Sequence, residues 1–165
     1  MQDTITRHLA GVASSGDKAA LLPILKAIGD RMSSQATSTA GLVISSTTTK
    51  AKTGAAAFQG VANGVPVTIA AATDMPALTG TITAGSYNVY CFFIDSASTV
   101  TVAQGTEATT LAGVKFPEFP EGKALVGYLI ITYASTFTGG TTALSTATTV
   151  YVSPVGAFDP NILTS

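Results

Sequence analysis

The sequence predicts a mainly β protein, with an antiparallel β-sandwich or jelly-roll-like body preceded by an N-terminal α-helical arm. Helical spacing of apolar residues is confined to about the first 33 positions. Beyond them, Thr, Val, Gly and Ala replace the helix formers, and short β-prone runs alternate with turn residues. Short strands at regular intervals are typical of sandwiches and barrels. We therefore divide the chain into a helical arm, residues 1–33, and a β-sandwich body, residues 34–165.

Two helical segments are expected within the arm. In the first, Ile5 and Leu9 recur at helical spacing, and the turn-forming residues 14–16 end it. The second is signalled by Asp17 near its start, although Pro23 lies too deep in such a helix unless its regular part begins near Leu22, with Pro23 in the first turn. A single apolar stripe runs along this second helix. It consists of Leu21, Leu25, Ile28 and Met32.

The body reads as a series of short strands separated by turns. Polar connectors are expected around the proline-rich residues 117–122 and in a long Thr, Gly and Ser loop at 135–146 that bulges from the body. The predicted strands lie at 41–47, 56–61, 65–71, 80–83, 87–95, 99–103, 112–116, 123–132 and 148–152.

The strand at 87–95 has an unusual pattern, because both of its faces are apolar. One face consists of Tyr87, Val89, Cys91 and Phe93, and the other of Tyr90, Phe92 and Ile94. A strand that is apolar on both faces is covered on both sides. We therefore expect it at the centre of the fold.

Charge is scarce throughout the chain. Its 165 residues include nine acidic and eight basic residues, one histidine and one cysteine, against 27 threonines. Enzymes need groups that titrate, bind metal or stabilise developing charge. Low charge also reduces the repulsion that keeps free monomers apart. The composition therefore favours a structural protein that associates with neighbours and is not an enzyme, with no cofactor and no metal.

The few candidate chemical groups have ordinary explanations. His8 has no identifiable nucleophile or orienting carboxylate and reads as a solvated or interface residue. Cys91 lies in the most apolar strand, where a thiol is buried and inert. Glu118 and Glu121 could pair as carboxylates, but a solvated corner explains them better. The basic residues are too dispersed to predict a nucleic-acid surface.

Two apolar sets leave alternatives open. The aromatic residues could form a sugar-stacking platform, although core packing explains most of them better. They are Tyr87, Tyr90, Phe92, Phe93, Tyr128 and Tyr133. The stripe on the second helix could be a trimerisation seam, or it could pack on the chain's own sheet. We predict contacts with other subunits or with a larger assembly at Ile5, Leu9, Leu21, Leu25, Ile28 and Met32.

No membrane-spanning segment is expected. The densest apolar run, residues 124–131, is only eight residues long and contains a glycine, whereas a spanning helix needs about twenty. The N-terminal residues lack the basic and apolar regions of a signal peptide.

Four segments in the second half of the chain form a recognisable series. They are AGSYNVYCFFID at 84–95, TVTVAQG at 99–105, VKFPEFPEGKALVGYLII at 114–131 and FTGGTTAL at 137–144. In this order they resemble segments of small virion proteins of tailed bacteriophages, of the head decoration (cement) or head-fibre kind. The resemblance implies a β-rich body, oligomers that are often trimers, a position on the capsid exterior and no enzymatic activity.

Taken together, these features lead us to expect a phage capsid decoration protein that forms a homotrimer and binds the major capsid protein. It would be synthesised in the bacterial cytoplasm and would bind neither nucleic acid nor membrane. A tail-associated or fibre protein is one alternative. A carbohydrate-binding module or adhesin is another.

Overall fold

The computed structural model describes residues 15–158. It contains one α-helix, α1 (Ser15–Ser33), and one 3₁₀ turn, η1 (Leu111–Gly113), in addition to its strands. The strands in chain order are β1 (Gln35–Ala36), β2 (Val43–Ile44), β3 (Ala51–Lys52), β4 (Phe58–Ala62), β5 (Val65–Ile69), β6 (Thr81–Ile82), β7 (Tyr87–Ile94), β8 (Val100–Gln104), β9 (Ala124–Thr132), β10 (Phe137–Thr138) and β11 (Thr148–Val152).

Helix α1 begins at Ser15, close to the predicted start near Asp17 and well before the alternative start near Leu22. It is continuous from Ser15, and Pro23 therefore lies inside it and not in its first turn. Proline lacks the N–H that would bond one turn back, so the interior position leaves a carbonyl without its helical partner. The helix ends at Ser33, where the strand-rich part of the chain starts. The predicted first helical segment lies outside the described residues.

All strand pairings are antiparallel, as predicted. The largest sheet has four strands in the order β11–β9–β7–β8, and a second sheet has the order β1–β4–β5. Strands β10 and β6 form one two-stranded sheet and β2 and β3 another. The predicted class, mainly β with antiparallel sheets and an N-terminal helix, is confirmed.

The core residues place the smaller sheets against one face of the four-stranded sheet, in a sandwich-like arrangement. On that face Tyr90, Phe92 and Ile94 of β7 pack with Phe58 of β4 and Phe137 of β10. These side chains are almost completely excluded from solvent. We call this the first core.

A second core lies on the opposite face of the same sheet. Val89, Cys91 and Phe93 of β7 pack there with Leu125 and Tyr128 of β9. The prediction that β7 is apolar on both faces and central is therefore confirmed.

Aromatic residues from the connector before β9 and from the segment after β11 cover the second core. Phe119 makes an edge contact with Phe93 at 4.9 Å between ring centroids, and Phe116 makes one with Tyr128 at 5.1 Å. Phe158 stacks on Tyr128 at 5.6 Å. Edge and offset contacts of this kind add to the free energy of burial. The proline-rich connector therefore closes a core instead of simply joining two strands.

Two sequence-based predictions are wrong. The expected bulging loop at 135–146 instead folds back onto the body, with Phe137 and Leu144 buried in the first core. The expected strand at 112–116 is replaced by η1 and one isolated bridge between Lys115 and Thr106. Burial of two apolar side chains outweighs the polar character of the loop.

The glycine within the apolar run of β9 has a packing reason. A Cβ atom on Gly127 would lie 2.6 Å from both the Leu42 side chain and the Val152 carbonyl oxygen. Only glycine permits this approach between β9, β11 and the segment that leads into β2.

Candidate functional site

Helix α1 presents an exposed apolar face, which we call the outer stripe: Leu21, Ile24, Leu25, Ile28 and Met32. Ile24, Ile28 and Met32 are 56%, 50% and 67% exposed, Leu21 is 41% exposed, and Leu25 is half-buried. Adjacent residues on a helix are about 100° apart, so these positions share one face. The described part of the chain therefore leaves this face largely uncovered.

The body contacts α1 through Asp30 and Arg31. The backbone N–H of Gly122 donates a 2.8 Å hydrogen bond to Asp30 Oδ1. From the border of the stripe, the Arg31 side chain extends so that its guanidinium lies 4.7 Å from the centroid of the Phe119 ring, a cation–π contact. Asp30 is two residues from Ile28, roughly 200° around the helix axis. The body therefore holds α1 with the outer stripe facing away from the sheet.

The C-terminal end of α1 is fixed to the turn between β4 and β5. The Gly64 N–H donates to the Ser33 carbonyl at 2.8 Å, and the Asn63 N–H donates to Ser34 Oγ at 3.0 Å. Terminal helix carbonyls have no intrahelical donors, so the first bond satisfies one of them. These contacts fix the C-terminal end of α1, and the Asp30 bond fixes one side of it, so together they set the orientation of the helix.

A small cleft separates α1 from the connector before β9. Pro23, Lys26, Asp30 and Arg31 line it from the helix, and Phe119 and Glu121 line it from the connector. Glu121 belongs to the cleft whereas Glu118 does not line it, and both residues are exposed, as expected for a solvated corner.

Of the predicted contact residues, the structure brings together Leu21, Leu25, Ile28 and Met32. Ile5 and Leu9 lie outside the described residues, as does His8. Sequence reasoning missed Ile24, although its spacing of three from Leu21 and four from Ile28 is the signal that places it on the same face.

The sequence-predicted sugar platform is mostly internal. Tyr90, Phe92, Phe93 and Tyr128 are buried in the two cores, and Tyr87 and Tyr133 are half-buried. Core packing therefore accounts for these rings.

The titratable groups with shifted pKa values are dispersed over the body. Burial raises the pKa of the Cys91 thiol well above its usual range. Burial, together with the charge of Glu107, raises the pKa of Tyr90 to about 12. Hydrogen bonds from the hydroxyl and the N–H of Thr83, at 2.6 and 2.8 Å, lower the pKa of Glu107. Cys91 and Tyr90 are both enclosed in cores, where neither reaches a solvent-filled cleft.

Among residues 15–158, no three His, Cys, Asp or Glu side chains are grouped so that they could hold a metal ion. In the same part of the chain, no helix has the length and apolar character needed to cross a membrane. The chain has no match among known protein families, curated proteins or solved structures.

Proposed function

We propose that this chain is a non-enzymatic capsid decoration (cement) protein of a tailed bacteriophage. It lies on the capsid exterior, associates with copies of itself as a homotrimer and binds the major capsid protein across joints in the shell. The observation that supports the proposal is the outer stripe of α1, an apolar face directed away from a body that already has two cores of its own.

Burial of this stripe would contribute favourable free energy to association. Full burial of one Ile, Leu or Met side chain stabilises by about 1.5–3 kcal/mol. Several of these side chains lie along one face of α1, so a partner that covers them all gains the free energy of burial of each. The fixed attachment through Asp30 reduces the entropy lost when the stripe docks.

The low charge of the surface supports the same role. A surface of hydroxyls and methyls can approach a like surface without strong repulsion or desolvation of ions. Such a surface is therefore suited to extensive contact with neighbouring subunits in a shell. The joints so covered would resist the outward pressure of packaged DNA.

The test is an acidic substitution of the outer stripe. The double variant Ile24→Asp/Ile28→Asp places two carboxylates in the proposed interface, whereas Ala19→Asp adds the same residue at an exposed position outside the stripe, about three turns before Asp30. Native mass spectrometry measures the oligomer, and co-sedimentation with expanded tailed-phage heads lacking the protein measures docking.

We expect the double variant to lose the association made through α1 and to lose docking, while Ala19→Asp retains both and each variant keeps the circular dichroism of the wild-type body. Unchanged assembly of the double variant would contradict the proposal. Co-sedimentation with tails instead of heads would favour the tail-associated alternative.

A further inference from the structure

Strand β8 forms one edge of the four-stranded sheet, and its hydrogen-bond register against β7 is fixed at both ends. At one end the Asp95 N–H donates to the Thr99 carbonyl at 3.1 Å. At the other the Gly105 N–H donates to the Val89 carbonyl at 2.8 Å. Bonded and non-bonded residues alternate along an antiparallel pair, so these two contacts determine which way every residue between them points.

The alternation directs the backbone N–H and C=O groups of Thr101 and Ala103 toward β7. Those of Val100, Val102 and Gln104 point outward from the sheet. Within residues 15–158, nothing donates to or accepts from these outward groups. Each β8 residue is half-buried, so solvent reaches the whole strand.

The edge is open from Val100 to Gln104; just beyond it, Thr106 and Lys115 exchange backbone hydrogen bonds of 2.9 and 3.2 Å. Gln104 turns its amide away, donating from Nε2 to the Thr81 carbonyl at 2.8 Å. Lys123 contacts β8 by donating a hydrogen bond from Nζ to Thr101 Oγ1 at 3.2 Å. Side chains of a strand lie on the faces of its sheet, so a bond to Thr101 Oγ1 does not place Lys123 in the line of outward backbone groups.

The opposite edge of the same sheet differs, because the chain itself flanks β11. Thr149 Oγ1 donates to the Leu144 carbonyl at 3.2 Å, and the Leu42 N–H donates to Ser153 Oγ at 3.0 Å. Proteins normally protect open edges with charges, prolines, bulges or covering segments. Strand β8 (VTVAQ) contains no charged residue and no proline, and its register with β7 contains no bulge.

We propose that β8 is an interface at which two copies of this chain join edge to edge, through β8 and β8 of the second copy, into a continuous antiparallel sheet. A two-fold axis at Val102 places Val102 opposite its own copy and Val100 opposite Gln104 of the other chain. The outward residues are spaced by two about this centre, so every outward N–H of one copy meets an outward C=O of the other. The half-buried Val100 and Val102 side chains also gain burial. This contact is separate from the outer stripe and does not depend on it.

Proline at the centre of the edge is a direct test. Val102→Pro removes an outward N–H that bonds to nothing within the chain, and proline is tolerated at such edge positions. Val102→Thr keeps the N–H and nearly the same shape, so it is the matched control. Both changes are made in the Ile24→Asp/Ile28→Asp background, where association through α1 is removed.

Sedimentation velocity from micromolar to submillimolar concentration should show a dimer of the background protein and of its Val102→Thr form. Val102→Pro should raise the dimer dissociation constant by about tenfold or more, since both copies lose a central hydrogen bond. A background protein that stays monomeric over this range would overturn the β8 interface while leaving the role of α1 intact. A dimer that Val102→Pro leaves unchanged would overturn it equally.

Amide hydrogen exchange tests the β8 interface without any substitution in β8. In the background protein the Val102 and Gln104 amides should become protected as concentration rises, while the Thr101 and Ala103 amides, bonded to β7, are protected throughout. Rapid exchange of the first pair at every concentration would overturn the proposal.

Discussion

Asp30 on helix α1 accepts, through Oδ1, a hydrogen bond of 2.8 Å from the backbone N–H of Gly122, 92 positions later in the chain. This bond and the contact of Arg31 with Phe119 join the helix to the connector that closes the second core. The orientation of the outer stripe therefore depends on a loop of the body.

Removal of the Asp30 carboxylate should loosen the helix. In Asp30→Ala, Gly122 loses its acceptor, and we expect its amide to exchange with solvent about tenfold faster, as for the loss of one hydrogen bond. Hydrogen-exchange mass spectrometry or NMR measures this. Asp30→Asn keeps a carbonyl oxygen in place and should largely restore protection. Equal exchange in all three proteins would show that the bond does not hold the helix.

Phe137 should be essential for stability although it lies in a Thr- and Gly-rich segment. Its ring is completely buried in the first core, 6.3 Å from that of Tyr90. Phe137→Ala should lower the free energy of unfolding by about 3–5 kcal/mol, measured by urea denaturation. Leu111→Ala, at a position that is 54% exposed, should change it by less than about 0.5 kcal/mol. Similar effects of the two changes would contradict the placement of Phe137.

Glu107 should contribute to stability in a pH-dependent way. Thr83 lowers the pKa of Glu107 in the folded protein, so the folded state binds a proton there less readily than the unfolded chain. The stabilisation is complete above the unfolded pKa and is lost as the pH falls through the lowered folded pKa. In Glu107→Gln this part of the acid-induced loss should disappear from the unfolding curve.

An NMR titration of the Glu107 carboxyl group provides the matched measurement. Thr83→Val removes the hydroxyl donor and keeps the N–H donor, so the pKa of Glu107 should rise toward its ordinary value. An unchanged pKa would show that the hydroxyl is not responsible.

Cys91 should be chemically silent in the native protein. It is completely buried in the second core and its pKa is raised, so the reactive thiolate is scarce and inaccessible. A thiol reagent such as dithionitrobenzoate at pH 8 should label it only after unfolding. Rapid labelling under native conditions would contradict this.

Two substitutions of Cys91 should separate the effect of side-chain size on stability from the effect of side-chain polarity. Cys91→Ser places a hydroxyl among apolar groups and should destabilise by about 1–3 kcal/mol if that hydroxyl finds no partner. Cys91→Ala removes the sulfur without adding a polar group and should cost less, as measured by urea denaturation.

The long strands could be predicted from the sequence because their patterns are local. Strand β7 has alternating apolar residues on both faces, and the predicted bounds of β11 are those observed. The two-residue strands β1, β3 and β10 were not predicted, since two residues show no periodicity. For β10, the one available signal was a large aromatic residue, Phe137, in an otherwise polar segment.

The candidate site was predictable in part for the same reason. The apolar stripe follows from helical spacing, which also contains the overlooked Ile24. The direction that the stripe faces could not be predicted, because it depends on Asp30 meeting Gly122 across most of the chain. The open edge of β8 was likewise hidden, since strand order within a sheet is a property of the whole topology.

Strand β7 separates the first core from the second, and nearly every one of its residues is inaccessible to solvent. Because both cores pack against β7, neither core can unfold without removing the strand on which the other packs. Melting should therefore occur as a single event, and among the strands, β7 should be where random amino-acid replacement is tolerated least.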